Sequence, residues 1–132
     1  MCYNSECRIE IKSRADGFES TVKAIGKVKK SLDNLRFDYA LDGDECTLIV
    51  YKSEVVQSRR GEQNIKMTFR KGERTECFLE SGGFEGTFPV DTSDLRYGYG
   101  EDHREKQVFT LSLAYVLGEQ KIELDFSAEY NL

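Results

Sequence analysis

The chain of 132 residues has few of the residues on which common metal and haem sites depend. It contains a single histidine, no tryptophan and one proline. One histidine without a nearby cysteine pair argues against zinc or haem ligation. No apolar run approaches the roughly 20 residues that a transmembrane helix needs. The N-terminal residues also lack the apolar segment of a signal peptide, so we expect neither membrane insertion nor secretion.

The cysteines are scattered and do not show the paired spacings of a disulfide framework or a zinc site: Cys2, Cys7, Cys46 and Cys77. The last three fall on predicted strands, where cysteine behaves as a small apolar residue. We therefore predict reduced thiols, no structural disulfide, no bound metal and no cofactor, in a cytoplasmic protein.

The composition is that of a globular domain, with 33% charged and 39% hydrophobic residues. The length fits one domain spanning residues 1–132. The formal net charge of -5 argues against a nucleic-acid-binding protein, because phosphate binding needs a concentrated positive field.

Residues 65–90 carry the clearest secondary-structure pattern. Apolar and polar residues alternate there with period two, which predicts strands with one buried face. Glycine-containing turns at residues 71–73 and 81–83 divide the stretch into three strands. We predict that the third strand ends at Val90 and that Leu95, Tyr97 and Tyr99 mark a separate strand.

The same alternation runs through most of the remaining chain, including the final pair Lys106 to Leu117 and Gln120 to Tyr130. The segment Thr21 to Leu35 is ambiguous, because its apolar residues fit both a helical stripe and a strand. Gly26 would cost a helix interior about 1 kcal/mol. Asp33-Asn34 favours a turn, so we predict strand, turn and strand. Roughly ten strands with short turns predict an antiparallel barrel or sandwich.

The sequence contains no convincing catalytic constellation. Asp91 and Asp94 could form an acid/base pair, although turn hydrogen bonding is the favoured interpretation. His103 stands among charged residues and is predicted to be a solvated loop residue. Ser81-Gly82-Gly83 lacks the Lys-Ser/Thr that follows in a phosphate-binding loop. We therefore lean towards a protein that is not an enzyme.

Asp16-Gly17, between two alternating strands, predicts a tight hairpin. Its outward positions carry six cations, offset mainly by Glu10 and Glu19; we call them the basic hairpin face: Arg8, Lys12, Arg14, Lys23, Lys27 and Lys29. Such cations protect exposed strands from aggregation. They also suit an interaction with an acidic protein or RNA.

The second half of the chain is rich in aromatic residues, sufficient to fill a core or to line a cavity: Phe69, Phe84, Phe88, Tyr97, Tyr99, Phe109 and Tyr115. Tyrosine hydroxyls and Arg59 or Arg60 could orient a ligand in such a cavity. A cation at the end of an aromatic space suits an amphipathic ligand with a carboxylate or phosphate. The candidate ligand-binding residues are Arg59, Phe69, Phe88, Tyr97 and Tyr115.

The stretch from Arg59 to Phe88 resembles the YwiB-like family of bacterial proteins of unknown function, and the likeness covers nearly the whole chain. The family shows Arg-x-Gly, Met-x-Phe, a glycine turn, and a Phe/Tyr-x-Glu strand that leads into a glycine-containing one. These features correspond to Arg59 and Gly61, Met67 and Phe69, Gly72, Phe78 and Glu80, and Gly86. Where the family usually carries proline and an aromatic residue, this chain has Ser81-Gly82-Gly83.

The resemblance implies a single antiparallel, calycin-like (lipocalin-like) β-barrel, an up-and-down meander of about 8–10 strands. It also implies a cytoplasmic bacterial protein, and it brings no established substrate or catalytic residue. A barrel of about eight strands has room inside for side chains or for one small ligand.

Our leading hypothesis is non-enzymatic binding of a small amphipathic ligand in the barrel interior. The alternative is an interaction module that uses the basic hairpin face, and an enzyme with carboxylates at the barrel mouth ranks third. Binding that weakens steeply with salt would favour the module. We expect a monomer or a homodimer and no membrane partner.

Overall fold

Ten strands form the part of the chain that the computed structural model describes, residues 3–101 and 106–131. They are β1 (Tyr3–Ala15), β2 (Phe18–Lys30), β3 (Asn34–Leu41), β4 (Asp44–Tyr51), β5 (Val55–Arg60), β6 (Gln63–Phe69), β7 (Arg74–Ser81), β8 (Phe84–Glu101), β9 (Lys106–Leu117) and β10 (Gln120–Asn131). Consecutive strands pair antiparallel, and β1 pairs with β10 to close the barrel. The predicted all-β, up-and-down, calycin-like barrel is therefore confirmed. These residues include no helix that is long and apolar enough to cross a membrane.

Two-residue turns join the strands at one end of the barrel, which we call the tight-turn end. Asp16-Gly17 and Asp42-Gly43 have positive φ at both residues, 51° and 81° in the first turn and 51° and 83° in the second. This is the type I′ conformation, which matches the twist of the flanking strands and fixes their register. Gly61-Glu62, Gly82-Gly83 and Gly118-Glu119 make the other turns at this end. The opposite, loop end carries the connections at residues 31–33, 52–54 and 70–73.

The ambiguous segment Thr21 to Leu35 forms strand, turn and strand, as predicted. β2 pairs with β3 only from Gly26 to Lys30, opposite Leu35 to Tyr39. A side chain at position 26 would collide with the backbone oxygen of Asp38 and with the Cβ of Tyr39. Glycine therefore permits the close approach of β2 and β3, and beyond it the two strands separate.

The prediction of separate strands on either side of residues 91–94 is wrong, because β8 is continuous from Phe84 to Glu101. A β-bulge between Thr92 and Asp94 inserts one residue opposite β9. The bulge bends the strand, so that its first half pairs with β7 and its second half with β9. It also shifts the inward-facing positions by one residue, which directs both Val90 and Leu95 into the barrel.

Fully buried aromatic rings fill the middle of the barrel. The ring centroid of Phe37 on β3 lies 5.2 Å from that of Phe109 on β9 and 5.1 Å from that of Phe126 on β10. The centroids of Phe109 and Phe126 are 6.3 Å apart, and we call these three residues the aromatic triangle. Phe69 and Tyr115 form a separate pair, with centroids 4.7 Å apart. The centre of the barrel is therefore packed with side chains.

Replacing Phe69 with alanine should lower the free energy of unfolding by about 3–5 kcal/mol, the usual cost of truncating a fully buried phenylalanine. Phe69 has no exposed surface, so both its transfer energy and a new cavity contribute. Phe78→Ala is the control, because Phe78 is 53% exposed on the neighbouring strand and faces outward. It should change the free energy by no more than about 0.5 kcal/mol. Urea unfolding of both variants makes the comparison, and equal losses would contradict the dense packing of Phe69 in the core.

Candidate ligand site at the tight-turn end

Several apolar side chains at the tight-turn end face the inside of the barrel and yet remain exposed. The register places Phe18 and Val22 of β2, and Phe84 and Phe88 of β8, on the same face as the core residues of β1 and β7. Their exposed fractions are 80% for Phe18, 56% for Phe84, 39% for Phe88 and 37% for Val22. The inside of the barrel is therefore accessible here. We call this surface the apolar bowl; its half-buried members are Ile11, Ile65, Met67, Leu79, Leu117, Ile122 and Leu124.

The rings of Phe84 and Phe88 lie over Gly86, between them on β8. A side chain at position 86 would bring its Cβ to 3.1 Å from Cε1 of Phe84 and 3.6 Å from Cε2 of Phe88. Glycine therefore leaves room for both rings on one face of the strand. Phe78 lies on β7, opposite Thr87 of β8, and faces the outside of the barrel. The two faces of this hairpin both present aromatic rings, and only the inner face belongs to the bowl.

The pair of Phe69 and Tyr115 lies below the bowl, towards the aromatic triangle. Tyr115 pairs with Ile122 of β10, a member of the bowl. Burial raises the pKa of the Tyr115 hydroxyl to about 12. The hydroxyl is therefore protonated at neutral pH, and it can act as a neutral donor or acceptor at the base of the bowl.

An arginine–aspartate pair stands at the rim of the bowl. Nε of Arg59 on β5 donates a hydrogen bond of 2.7 Å to Oδ2 of Asp44 on β4. Hydrogen bonding and proximity to this carboxylate raise the pKa of the Arg59 guanidinium, although partial burial opposes the shift. Within the described part of the chain, its terminal nitrogens have no hydrogen-bond acceptor. The outer edge of the guanidinium is thus available to an anionic group.

Tyr39 and Gln57 continue the polar side of the bowl towards the core. Burial raises the pKa of the Tyr39 hydroxyl, whereas the nearby Arg59 and a hydrogen bond from Gln57 lower it by less. The side chains of Tyr39 on β3 and of Gln57 and Arg59 on β5 all face inward. The bowl therefore has an apolar wall on β6–β10, β1 and β2, and a polar edge on β3–β5.

The position of Gly61 explains the Arg-x-Gly motif that it forms with Arg59. A side chain at position 61 would overlap the carboxylate of Asp44. Arg59 binds that carboxylate and Gly61 leaves space for it, so both ends of the Arg-x-Gly motif position Asp44. Sequence reasoning missed Asp44. The Asp42-Gly43 turn could have indicated its position, because this turn places Asp44 opposite Leu41 at the start of β4.

The structure brings four of the five candidate ligand-binding residues to the bowl or to the buried pair beneath it, and it places the fifth elsewhere. Arg59 and Phe88 lie at the bowl, with Phe69 and Tyr115 beneath it. Tyr97 lies towards the loop end, where its hydroxyl donates a hydrogen bond of 3.2 Å to the backbone oxygen of Lys52. The five residues therefore do not line one space.

The cations of the basic hairpin face share the outer surface of β1 and β2, but β10 brings carboxylates beside them. The register sets Arg8 against Glu129, Lys12 against Asp125 and Arg14 against Glu123. Nη2 of Arg14 lies 2.8 Å from Oε2 of Glu123 and 3.9 Å from Oδ2 of Asp125. Sequence reasoning counted only the acids on the hairpin itself, because the pairing of β1 with β10 joins opposite ends of the chain. The surface is therefore of mixed charge.

An open groove of about 520 Å³ crosses this outer surface. Arg8 and Glu10 of β1 line it together with Lys23 and Ile25 of β2 and Val108 of β9. It combines two cations with apolar side chains and with the carboxylates of Glu10 and Glu129. The groove is separated from the bowl by the barrel wall.

Asp91 and Asp94, the possible acid/base pair, each have an arginine partner. Arg74 donates hydrogen bonds of 2.8 and 2.9 Å to the two carboxylate oxygens of Asp91, and these bonds lower the pKa of Asp91. Asp94 lies 2.8 Å from Nε of Arg96 and 3.8 Å from Nζ of Lys71. Both carboxylates are therefore held as ion-pair partners. His103 lies outside the described residues.

Three cysteine thiols are buried and free: Cys7, Cys46 and Cys77. Burial raises the pKa of each of them, and for Cys7 to about 11. A raised pKa keeps the thiol protonated at neutral pH, and the thiolate is the nucleophilic form. These cysteines therefore suit packing and not nucleophilic catalysis. Cys2 lies outside the described residues.

Comparison with known proteins identifies the architecture. A family model described as a domain of unknown function (DUF1934) matches residues 7–132. The crystal structure of the ywiB protein from Bacillus subtilis is similar to this chain with a TM-score of 0.78 and 17% sequence identity, over 98% of this chain and 94% of that chain. At that identity, the structural likeness shows the fold alone. No curated protein matches the chain.

In a Cys2→Ser background, the remaining thiols should react with an aromatic disulfide reagent far more slowly in the native protein than in urea. At pH 8, raising the pKa of Cys7 from 9.0 to about 11 lowers its thiolate fraction by about 100-fold. The reactivity of Cys7 should rise as the pH increases towards 11. Absorbance of the released thiol gives the rates, and a rapid native phase equal to one thiol at pH 8 would contradict this expectation.

Proposed function

The chain belongs to the YwiB-like family of domains of unknown function (DUF1934), and from the geometry of its barrel we propose that it binds a small amphipathic ligand in the apolar bowl. The proposed role is binding without chemical transformation, in the cytoplasm of a bacterium. One observation carries it: apolar side chains that alternate towards the inside of the barrel remain exposed at the tight-turn end.

The apolar part of the ligand would lie against Phe84, Phe88 and the surrounding aliphatic side chains. Covering a large apolar side chain stabilises a complex by about 1.5–3 kcal/mol. An exposed inward-facing ring such as Phe84 gains this energy only when something covers it. The packed aromatic triangle beneath limits the depth of the site, so the ligand would occupy the mouth and not the centre of the barrel.

The polar part of the ligand would meet Arg59. Asp44 occupies Nε of the guanidinium and fixes its orientation, which leaves the terminal nitrogens to bind a carboxylate or phosphate. Charge-assisted hydrogen bonds of this kind contribute about 1.5–3 kcal/mol each. An anionic head group with an apolar tail therefore matches both sides of the bowl.

The basic hairpin face gives less support to a second function as a partner surface for acidic protein or RNA. Nucleic-acid binding depends on a concentrated positive field. Here Arg14 is paired with Glu123, and Lys12 lies 3.5 Å from Glu10. Carboxylates from β10 and from β1 itself thus reduce the field. We therefore place the bowl first.

A dansyl-labelled undecanoic acid should bind the wild-type protein with enhanced fluorescence, and Phe84→Ser should weaken this binding by about tenfold or more. The matched control is Phe78→Ser, because Phe78 and Phe84 are similarly exposed, at 53% and 56%, but face opposite sides of one hairpin. The control should leave the affinity unchanged. Fluorescence titration measures all three proteins. No binding to the wild type, or equal losses in both variants, would refute a ligand site in the bowl.

Arg59→Gln should weaken binding of the same carboxylate probe by about tenfold and should leave binding of its methyl ester unchanged. Arg60→Gln is the control, since Arg60 is the next residue on β5 and faces outward. Calorimetric titration of both probes separates the head-group contact from the contribution of the tail. If the ester loses as much affinity as the acid, Arg59 acts through the structure of the bowl and not through the anion.

A further inference from the structure

β2 has an unpaired edge over most of its length. Its hydrogen bonding to β3 begins only at Gly26, whereas its pairing with β1 extends to Phe18 beside the turn. Within the described part of the chain, residues 18–25 are therefore paired on one side only. Apart from half-buried Ala24, every residue in this segment is exposed. A free strand edge of this kind presents backbone donors and acceptors to another strand.

The turn geometry determines which backbone groups point outward from this edge. In a two-residue hairpin, the residues that flank the turn, Ala15 and Phe18, exchange both backbone hydrogen bonds. Bonding alternates along the strand, so Glu19, Thr21, Lys23 and Ile25 direct their N–H and C=O groups away from β1. The bond from Ser31 N to Asn34 O, on the β3 side, fits the same alternation.

A second free edge, on β8, lacks this capacity. Among the ten described strands, residues 84–89 pair only with β7, because pairing with β9 begins at Val90. The same alternation, counted from the Gly82-Gly83 turn, directs Glu85, Thr87 and Pro89 away from β7. Pro89 has no N–H to donate, and proline at an edge discourages further pairing. The edge of β2 contains no proline, so of these two edges only that of β2 can form hydrogen bonds with another strand along its whole length.

We propose that a second copy of this chain pairs with β2, antiparallel and centred on Thr21, to form a homodimer with a continuous sheet. In this register Glu19 stands opposite Lys23 of the second copy, and Lys23 stands opposite Glu19 of that copy. Both are outward-facing and exposed, and directly opposed charges of opposite sign stabilise an antiparallel pair. A partner strand that matches the charges of this edge is therefore the edge itself.

The charge pattern continues into the flanking strands. On the outer face, Glu19 pairs with Arg14 of β1 and Lys23 pairs with Glu10. Across the dimer the order becomes Arg14, Glu19, then Lys23 and Glu10 of the second copy, which alternates in sign at each step. Shifting the register by two residues would set Glu19 against Ile25 in one direction and against Thr21 in the other, and either shift would lose the alternation. The centred register is therefore the one that the charges favour.

The inner face of the pair is mostly apolar, and the space beside the edge is open. Phe18 would lie opposite Ala24 of the second copy, and Val22 opposite Ser20. Covering Phe18, which is 80% exposed, would remove apolar surface from water. A groove of about 510 Å³ runs from Ile25 along β3, and it leaves room there for the turn of the second copy.

Sedimentation equilibrium over a range of protein concentrations tests the proposal. The wild-type chain should shift with rising concentration from 15.2 kDa to about twice that mass. Glu19→Lys and Lys23→Glu should each remain at the mass of one chain, because each sets like charges against each other twice. Glu85→Lys, the same charge change on the edge of β8, should dimerise like the wild type.

Mixing the two single variants provides the decisive result. Glu19→Lys presents two lysines and Lys23→Glu presents two glutamates, so an equimolar mixture should recover the doubled mass that neither variant shows alone. Circular dichroism of each variant checks that the barrel is intact. A wild type that stays at one chain, which would leave the edge to another partner, overturns the proposal. Dimerisation that is unaffected by either single variant overturns it as well.

Discussion

The contact of three phenylalanine rings across the barrel is the constraint on which the rest of the structure depends. Phe37 comes from β3, whereas Phe109 and Phe126 come from β9 and β10, so the aromatic triangle ties together walls that do not neighbour each other. Dispersion contacts in such a packed centre are individually small and large in sum. The triangle also divides the lumen, and therefore any space for a ligand lies at an end of the barrel.

Local patterns in the sequence predicted most of the strands correctly, because period-two alternation and turn chemistry are short-range signals. Thr21 to Leu35 was ambiguous by periodicity, and Gly26 with the Asp33-Asn34 turn decided it correctly in favour of two strands. The same method failed at residues 91–94. A bulge leaves no distinct mark on the alternation, since two runs of opposite phase look the same whether they belong to one bent strand or to two.

The candidate site was harder to predict, because it depends on which strands are neighbours and on where each residue lies along the barrel axis. Phe88 and Tyr97 are nine positions apart on one long strand, and that length separates the two ends of the barrel. The hairpin cations were correctly grouped, yet their neutralising partners Glu123 and Asp125 come from the other end of the chain. Long-range register of this kind cannot be read from a single sequence.

One geometric cause accounts for both unusual surfaces of the barrel. Strands in a closed barrel must tilt, and the tilt staggers neighbouring hairpins along the axis. The β1–β2 hairpin therefore projects beyond β3, and the β7–β8 hairpin projects beyond β9. Projection leaves the inward rings of Phe18 and Phe84 without a covering wall, and it leaves the edges of β2 and β8 without a pairing strand. Pro89 blocks the edge of β8, whereas the edge of β2 carries no proline and keeps its capacity to pair with another strand.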